Sequence, residues 1–504
     1  MKQALINSVF VTLLGLLSAL ALAQVSDTAK ETAAYAVETY AQAMTDTLAE
    51  LVEYQTVASA KLSLDQNPEF VGFKSSLAQH AEALGLEYED HGHVVIVAIG
   101  SGKEKVGILT HGDVMPADPA KWEASPFSLD TQSEPGKLIA RGAEDNKGPI
   151  ATALYAMKAI QDRELALKRR VELLIYLAEE SDWEPLRAFL ENYPVPQYSI
   201  TIDAVYPVVT AEKGWGEVQV TAIDTESIPE DGPYLAEFYG GYFRGQVPDE
   251  AHATVINADP QLKAAIRSRA AAQSNIKYEF RQDGDRWLIT TRGKSAHSAQ
   301  PQHGINAITF LAAALGARRW PNNAAGATVD YLNQLVGTGV EGAKFGDIAY
   351  THDFMGPLTA TVTMVKPGLN GLTTYLNLRR PAGKATKQLE SEIRTALSNW
   401  QQHSGARLAG IQIDLDEEPL IVKDAGHIQP LLAVFRHFSG MEDAKPIAIG
   451  GSSNAKLLPD AISFGPSMPG QIYTGHTEHE FITEEQFRLN LKMYTAMMIE
   501  IANL

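Results

Sequence analysis

Leu173–Glu184 reads LLIYLAEESDWE, an unbroken apolar run that stops at two adjacent carboxylates, Glu179 and Glu180. A run of that length bounded by charge predicts a parallel strand buried on both faces, because a half-exposed strand would alternate apolar and polar residues. In open parallel sheets, ligands bind beyond the carboxyl ends of the strands. The two acids therefore stand where chemistry is done, and their meaning depends on what else reaches that edge.

The flanking sequence repeats the pattern. Val106–Leu109 is a compact apolar strand leading into Thr110-His111-Gly112-Asp113. Pro149–Asp162 reads as a helix, with a first-turn proline whose missing N–H breaks no helical bond. Val171–Ala178 is the second strand, Glu184–Asn192 a helix, and Tyr198–Ile202 a third strand that stops at Asp203. Strands and helices alternating with short connections predict a parallel sheet with crossover helices. His111, Asp113, Glu179, Glu180 and Asp203 then meet at one edge. A single acid at a strand end is commonplace, but this convergence makes an acidic cleft that is costly unless a cation sits in it.

After Lys213-Gly214-Trp215 the alternation fails. Residues 215–382 hold turn-rich stretches, strand-like runs and helices such as Ile305–Leu315, which predicts an inserted α+β lid domain. From Thr386 a strand and helix pattern returns, so the first domain is expected in two parts, 24–214 and 383–504. The fold class is α/β, with a mostly parallel central sheet and helices on both faces, interrupted by the lid. Ahead of it, Lys30–Val57 reads as one or two amphipathic helices, Phe70–Leu84 as another, and Val94–Ile99 as a short strand.

The chain has 504 residues, 45% hydrophobic and 20% charged, which suits a globular protein of two or three domains. A formal charge of −19 repels phosphate backbones and argues against nucleic acid. There is no cysteine, so disulfides, thiolate metal sites and cysteine nucleophiles are excluded, and any metal must be held by His, Asp and Glu. Met1–Ala23 carries Lys2, an apolar run from Val9 to Leu22 and the small-x-small end Ala21-Leu22-Ala23. It reads as a secretory signal cleaved before Gln24, giving a periplasmic or secreted protein without a membrane anchor. No other stretch approaches the ~20 apolar residues of a membrane-spanning helix.

The motifs add chemistry. In His111-Gly112-Asp113 an imidazole could bind a metal through one ring nitrogen while a carboxylate fixes the other. In RGAEDNKGP (141–149), Asp145 precedes a helix; it could bridge two cations, or only complement the helix dipole. Glu179 and Glu180 can divide the labour, one holding metal and the other taking a proton from water, since zinc lowers the pKa of its water to about 7. An all N/O ligand set fits zinc, with manganese or cobalt as alternatives.

HGDVMP, RGAEDNKGP, LAEESD, Asp203, GKSAH and a late histidine, taken in order, resemble the clan MH di-zinc metallopeptidases (aminoacylases, carboxypeptidases and dipeptidases). The long insertion, with NLRRP and IGGSSNAKLLPDAISFGPSMPG, is similar above all to the PepV/carnosinase-like dipeptidases. That resemblance implies two zinc ions per chain. His111 and Asp203 would hold one, Glu180 and His476 the other, with Asp145 bridging. Asp113 would orient His111, and Glu179 would be the general base toward a metal-activated water. His297 would reach in from the lid to stabilise the oxyanion, and Arg379 would bind the carboxylate of a dipeptide substrate. Arg380 is the alternative to Arg379, and His479 to His476. Asn146 stands where relatives often carry a second Asp. His80, His91, His93 and His403 read as surface or loop residues. A monomer is expected from the long insertion, with a homodimer as the alternative because short-lid relatives pair through that domain.

Other readings compete. An N-acyl amino acid deacylase or a carboxypeptidase would use the same chemistry with a different pocket. Ser453-Asn454-Ala455-Lys456 matches the S-x-x-K of serine acyl enzymes, but neither K-T-G nor S-D-N accompanies it. A non-catalytic solute-binding protein would have no use for Glu179 beside a ligand set.

Overall fold

The computed structural model describes residues 24–228, 231–415 and 417–504. The expected signal segment, Met1–Ala23, lies outside the described residues. Two sheets, each with its own apolar core, organise the rest.

The first sheet begins with β1 (Glu87–Asp90), β2 (Val94–Ile99), β3 (Lys105–His111), β4 (Arg170–Tyr176) and β5 (Tyr198–Thr201), in spatial order β1-β2-β4-β3-β5. It continues through the short strands Ile462–Ser463, Val209–Glu212 and Leu420–Ile421. Its centre is parallel: β3 runs with β4 and β5, and Ile462–Ser463 runs with β5. Antiparallel pairs flank this centre on both sides. The strand residues alternate between two covered faces. Val95, Val97, Leu173 and Ile175 enter one core, whereas Val94, Ile96, Leu174 and Tyr176 enter the other. This is why the runs are apolar throughout. The larger face carries the helices Asp27–Val52, Lys147–Asp162, Ile428–Ser439 and Glu484–Ala502; the other carries Glu184–Leu190 and the turn Asn454–Leu457.

Local chemistry sets the helix ends. Ser26 and Thr483 accept backbone N–H groups at the starts of Asp27–Val52 and Glu484–Ala502, and Glu484 and Glu485 complement the dipole of the latter. The expected Lys30–Val57 region is one helix that stops at Val52. The helix expected from Pro149 begins at Lys147, which keeps the proline within its first turn.

The second sheet is antiparallel in every pairing. Its eight strands run in the order Lys277–Asp283, Arg286–Arg292, Glu250–Ile256, Tyr234–Gly240, Thr359–Gly368, Gly371–Arg380, Gly214–Ile223 and Arg407–Asp414. This corrects the expected end of the lid at residue 382. The helix Thr386–Ser404 buries Leu389, Ile393, Leu397 and Trp400 in the lid core, and Arg407–Asp414 is the lid sheet's edge strand against Gly214–Ile223. An amphipathic helix followed by a strand looks the same in sequence whichever sheet it joins. Only the pairing decides.

Candidate active site

Parallel register brings the chemistry to one edge. His111 pairs with Tyr176 and Leu109 with Thr201, so β3, β4 and β5 end side by side. His111 closes β3, Glu179 and Glu180 follow β4, and Asp203 follows β5. The turn between β3 and the following loop tolerates only glycine, because a Cβ on Gly112 would lie 2.4 Å from the Phe73 ring.

Asp145, just before the helix Lys147–Asp162, faces two histidines with different oxygens. Its Oδ1 is 2.8 Å from His111 Nε2, and its Oδ2 is 3.2 Å from His476 Nε2. His476 Nε2 also lies 2.8 Å from Glu180 Oε1, and Asp203 Oδ2 lies 3.7 Å from His111 Nε2. Potential ligand atoms of His111, Glu179 and Asp203 fall within 4.8 Å of one another, as do those of His111, Asp145 and Glu180.

Burial and the neighbouring charges pull these groups in different directions. Burial disfavours charge on His111, yet Asp203, Asp113 and Asp145 outweigh it and hold the imidazole well above its usual pKa. His476 is likewise opposed by burial but is raised to about 10 by Glu180 and Asp145. Burial and Asp203 push the Glu179 carboxyl well up, and burial raises Glu180. Asp145 resists its own burial because both histidines hold it down. Buried carboxylates thus outnumber the two imidazoles that balance them, and the Nε2 atoms of His111 and His476 both face the carboxylates. Nitrogen and oxygen donors in this arrangement fit divalent cations such as zinc, manganese or cobalt.

The lid supplies two more groups. His297 lies on the short strand Ala296–His297, which pairs with Gln246–Val247. Its Nδ1 accepts the Ala299 N–H at 3.0 Å, which places the proton of the neutral ring on Nε2. Burial, together with His476 and Arg379, keeps that ring well below the usual histidine pKa and hence neutral. The ring centroids of His297 and His476 are 4.5 Å apart. Arg379 is buried, with Nη2 donating to Ser298 Oγ at 3.2 Å and Nε to Asn377 Oδ1 at 3.2 Å; burial lowers its pKa to about 10, so it stays charged at neutral pH. Asp145, Glu179, Glu180, Asp203, His297, Arg379 and His476 all line one cavity of about 610 Å³. A larger cavity of about 960 Å³, beyond the Tyr473 loop, holds none of these seven residues.

Residues 107–500 match the profile of Peptidase family M20/M25/M40. The chain belongs to peptidase family M20. This M20 peptidase is 26% identical over 458 residues to "Putative dipeptidase SH1171" of Staphylococcus haemolyticus, covering 89% of this chain and 95% of that one. It is 27% identical over 406 residues to "Putative dipeptidase YtjP" of Bacillus subtilis, covering 80% and 84%. Its fold resembles human carnosine dipeptidase 1 at a TM-score of 0.56 and 14% identity, covering 95% of this chain and 100% of that chain. It resembles the di-peptidase Dug1p of Saccharomyces cerevisiae at 0.56 and 11%, covering 94% and 98%. The M20 membership makes the chain a peptide-bond hydrolase.

Within the peptidase, the geometry separates the paired alternatives. Arg380 is spent on structure: its Nη2 donates to the carbonyls of Leu415 and Glu417 and its Nη1 to Thr386 Oγ1, whereas Arg379 lines the cavity. His479 is half exposed and pairs with Glu134 at 2.8 Å, whereas His476 joins the cluster. Asp113 meets the His111 ring chiefly through its backbone. His111 Nδ1 is 2.9 Å from the Asp113 backbone carbonyl and 3.6 Å from its carboxylate. The carboxylate instead accepts the N–H groups of Glu179 and Glu180 at 3.0 and 2.9 Å. One ring proton is already taken by the nearby carbonyl, while two adjacent amides match two carboxylate oxygens. Asn146 Nδ2 donates to Asp203 Oδ1 at 2.9 Å, which fixes that oxygen and leaves Oδ2 toward His111.

Two supporting residues have roles that only the fold reveals. Glu480 is fully buried, and its Oε1 accepts the N–H groups of Gly142, Glu144 and Asp145, each at 2.9 Å, while Arg141 donates to Oε2. It therefore holds the loop that presents Asp145. Glu144, pushed up to about 7 mainly by burial, accepts from Ser467 Oγ and from Thr474, tying down the stretch before His476. Ser453 and Lys456 do not form the pair a serine acyl enzyme requires. Ser453 Oγ donates to buried Glu212 at 2.8 Å, and Lys456 Nζ donates to the Lys213 carbonyl at 2.7 Å.

Proposed function

We propose that this M20 peptidase is an exported dipeptidase that works with two divalent cations, zinc first among them. The observation that carries the reading is Asp145 facing His111 and His476 with separate oxygens, in a cavity that also holds Arg379 and His297. His111 and Asp203 would hold one cation, Glu180 and His476 the other, with Asp145 shared. Bound there, the cations would polarise the scissile carbonyl and acidify a water.

The chain's own residues do the rest. The Arg379 guanidinium binds the C-terminal carboxylate of the dipeptide, a task suited to its planar fork. A fixed anchor in the same cavity as the cluster favours short substrates with a free carboxylate. Glu179 takes the proton of the attacking water and delivers it to the leaving amine. The neutral His297 ring, with its proton on Nε2, donates to the oxygen that becomes negative in the transition state. The apolar segment Met1–Ala23 supports export and cleavage before Gln24.

The deciding experiment combines metal analysis of the purified protein with a panel of dipeptide, tripeptide and N-acetyl amino acid. Two equivalents of metal and preference for the free dipeptide are expected. Preference for the N-acetyl compound would replace the dipeptidase by a deacylase, and activity insensitive to chelators would end the metal reading. N-terminal sequencing of the mature protein should begin at Gln24.

A further inference from the structure

Glu478 lies two residues beyond His476, on the catalytic side of the cleft, yet its carboxylate is used by the lid. Its Oε1 accepts from Gln246 Nε2 at 2.8 Å and its Oε2 from Ser295 Oγ at 2.8 Å. Both donors flank His297 on the lid: Gln246 is its partner in the two-stranded ribbon, and Ser295 immediately precedes the strand Ala296–His297. Lys121 adds a third link across the same seam, 3.0 Å from lid residue Asp249 and 3.5 Å from Glu478. The His297 ring itself meets the catalytic side through ring contacts with His476 and Tyr473, at centroid distances of 4.5 and 5.8 Å. Ring contacts of this kind tolerate sliding, whereas hydrogen bonds to an ionised acceptor fix direction.

From this placement we propose that Glu478 is a positioning residue, a latch that seats the His297 ribbon on the catalytic side and sets the height of the oxyanion donor. The inference rests on the dipeptidase reading with His297 as that donor. A donor acts on the transition state only within a few tenths of an ångström of its proper place, and an error of 1 Å costs about a hundredfold. Two bonds, one from the residue paired with His297 and one from the residue just before its strand, meet that tolerance better than the ring contacts with His476 and Tyr473.

The test compares Glu478→Ala, Glu478→Gln, Ser295→Ala, His297→Ala and the double variant Glu478→Ala/His297→Ala, in the full metal-loaded chain acting on a dipeptide. Glu478→Ala should lower kcat by about 10- to 100-fold and leave KM within about threefold, because Arg379 still carries substrate binding. The double variant should be no slower than His297→Ala alone. Glu478→Gln should recover most of the rate, since its amide can accept from Gln246 and donate to Ser295. Ser295→Ala removes one bond from the lid side and should fall between. Hydrogen exchange should quicken in the segments containing Gln246–Val247 and Ala296–His297 in Glu478→Ala, with metal content unchanged. Multiplicative losses in the double variant, or a fall in kcat that follows metal loss, would assign Glu478 to the His476 loop and overturn the latch. So would a wild-type kcat in Glu478→Ala. If the chain hydrolyses no dipeptide, the dipeptidase reading fails by itself and the exchange measurement still decides whether the latch exists.

Discussion

Glu179 and His297 sit within one cavity but are tuned in opposite directions, and substitution should separate their effects. Glu179→Gln should retain both metal equivalents while kcat falls by about 10²- to 10⁴-fold; metal loss in that variant would make Glu179 a ligand, as its proximity to His111 and Asp203 allows. His297→Ala should cost about 10²- to 10³-fold in kcat, with metal content and folding unaffected. Arg379→Ala should act mainly on KM for dipeptides, whereas Arg380→Ala should lower stability because it strips donors from the Leu415 and Glu417 carbonyls. The residues of the cluster were legible because metal chemistry admits few side chains and they stand at strand ends. Their supports were not. Glu480 acts on backbone amides 338, 336 and 335 positions away, and such contacts leave no local pattern. The choice between His476 and His479 rested on spacing, and what separates them is Glu134, a partner that only the fold brings near.

At the scale of elements, apolar runs closed by charge were readable as parallel strands, since burial on both faces leaves no alternation. Sheet membership was not readable. Thr386–Ser404 has a regular amphipathic face, and nothing in it says that Trp400 meets Tyr331 of the lid or that its indole N–H reaches Asp330. Trp400→Ala should cost about 3–5 kcal/mol in urea unfolding, and loss of lid structure should precede loss of the first sheet. Loops follow the same logic. Glu480→Ala frees the segment that presents Asp145, so metal affinity should fall by about 10- to 100-fold in competition with a chelator, while Thr483→Ala, removing a cap of the final helix, should cost only about 1 kcal/mol.

For the molecule as a whole, pH should enter through His427. It is buried at the start of the helix Ile428–Ser439, with Nε2 donating to the Ser199 carbonyl at 3.2 Å, and burial lowers its pKa to about 4. The unfolded chain takes up this proton near pH 6.5, the folded protein only near 4, so the unfolded state binds more protons in between. Stability therefore falls as pH drops through that window, by about 3 kcal/mol from this residue alone. His427→Gln keeps a donor for Ser199 and should flatten the decline, seen as a smaller shift of the urea midpoint between pH 7 and pH 5. An equal shift in both proteins would remove His427 as the cause.

The chain enters the second sheet at Gly214 and leaves it at Asp414, and these two crossings touch. Gly214 pairs with Arg380, whose guanidinium grips Leu415 and Glu417, and a Cβ on Gly214 would lie 2.3 Å from the Glu417 carbonyl. A segment whose two ends meet behaves as a cassette. It can be cut out without parting its neighbours, and spliced into another host without stretching it. Residues 214–415 expressed alone should fold with a single cooperative transition, and exchanging this cassette between related peptidases should transplant the carboxylate anchor while leaving the metal cluster in place.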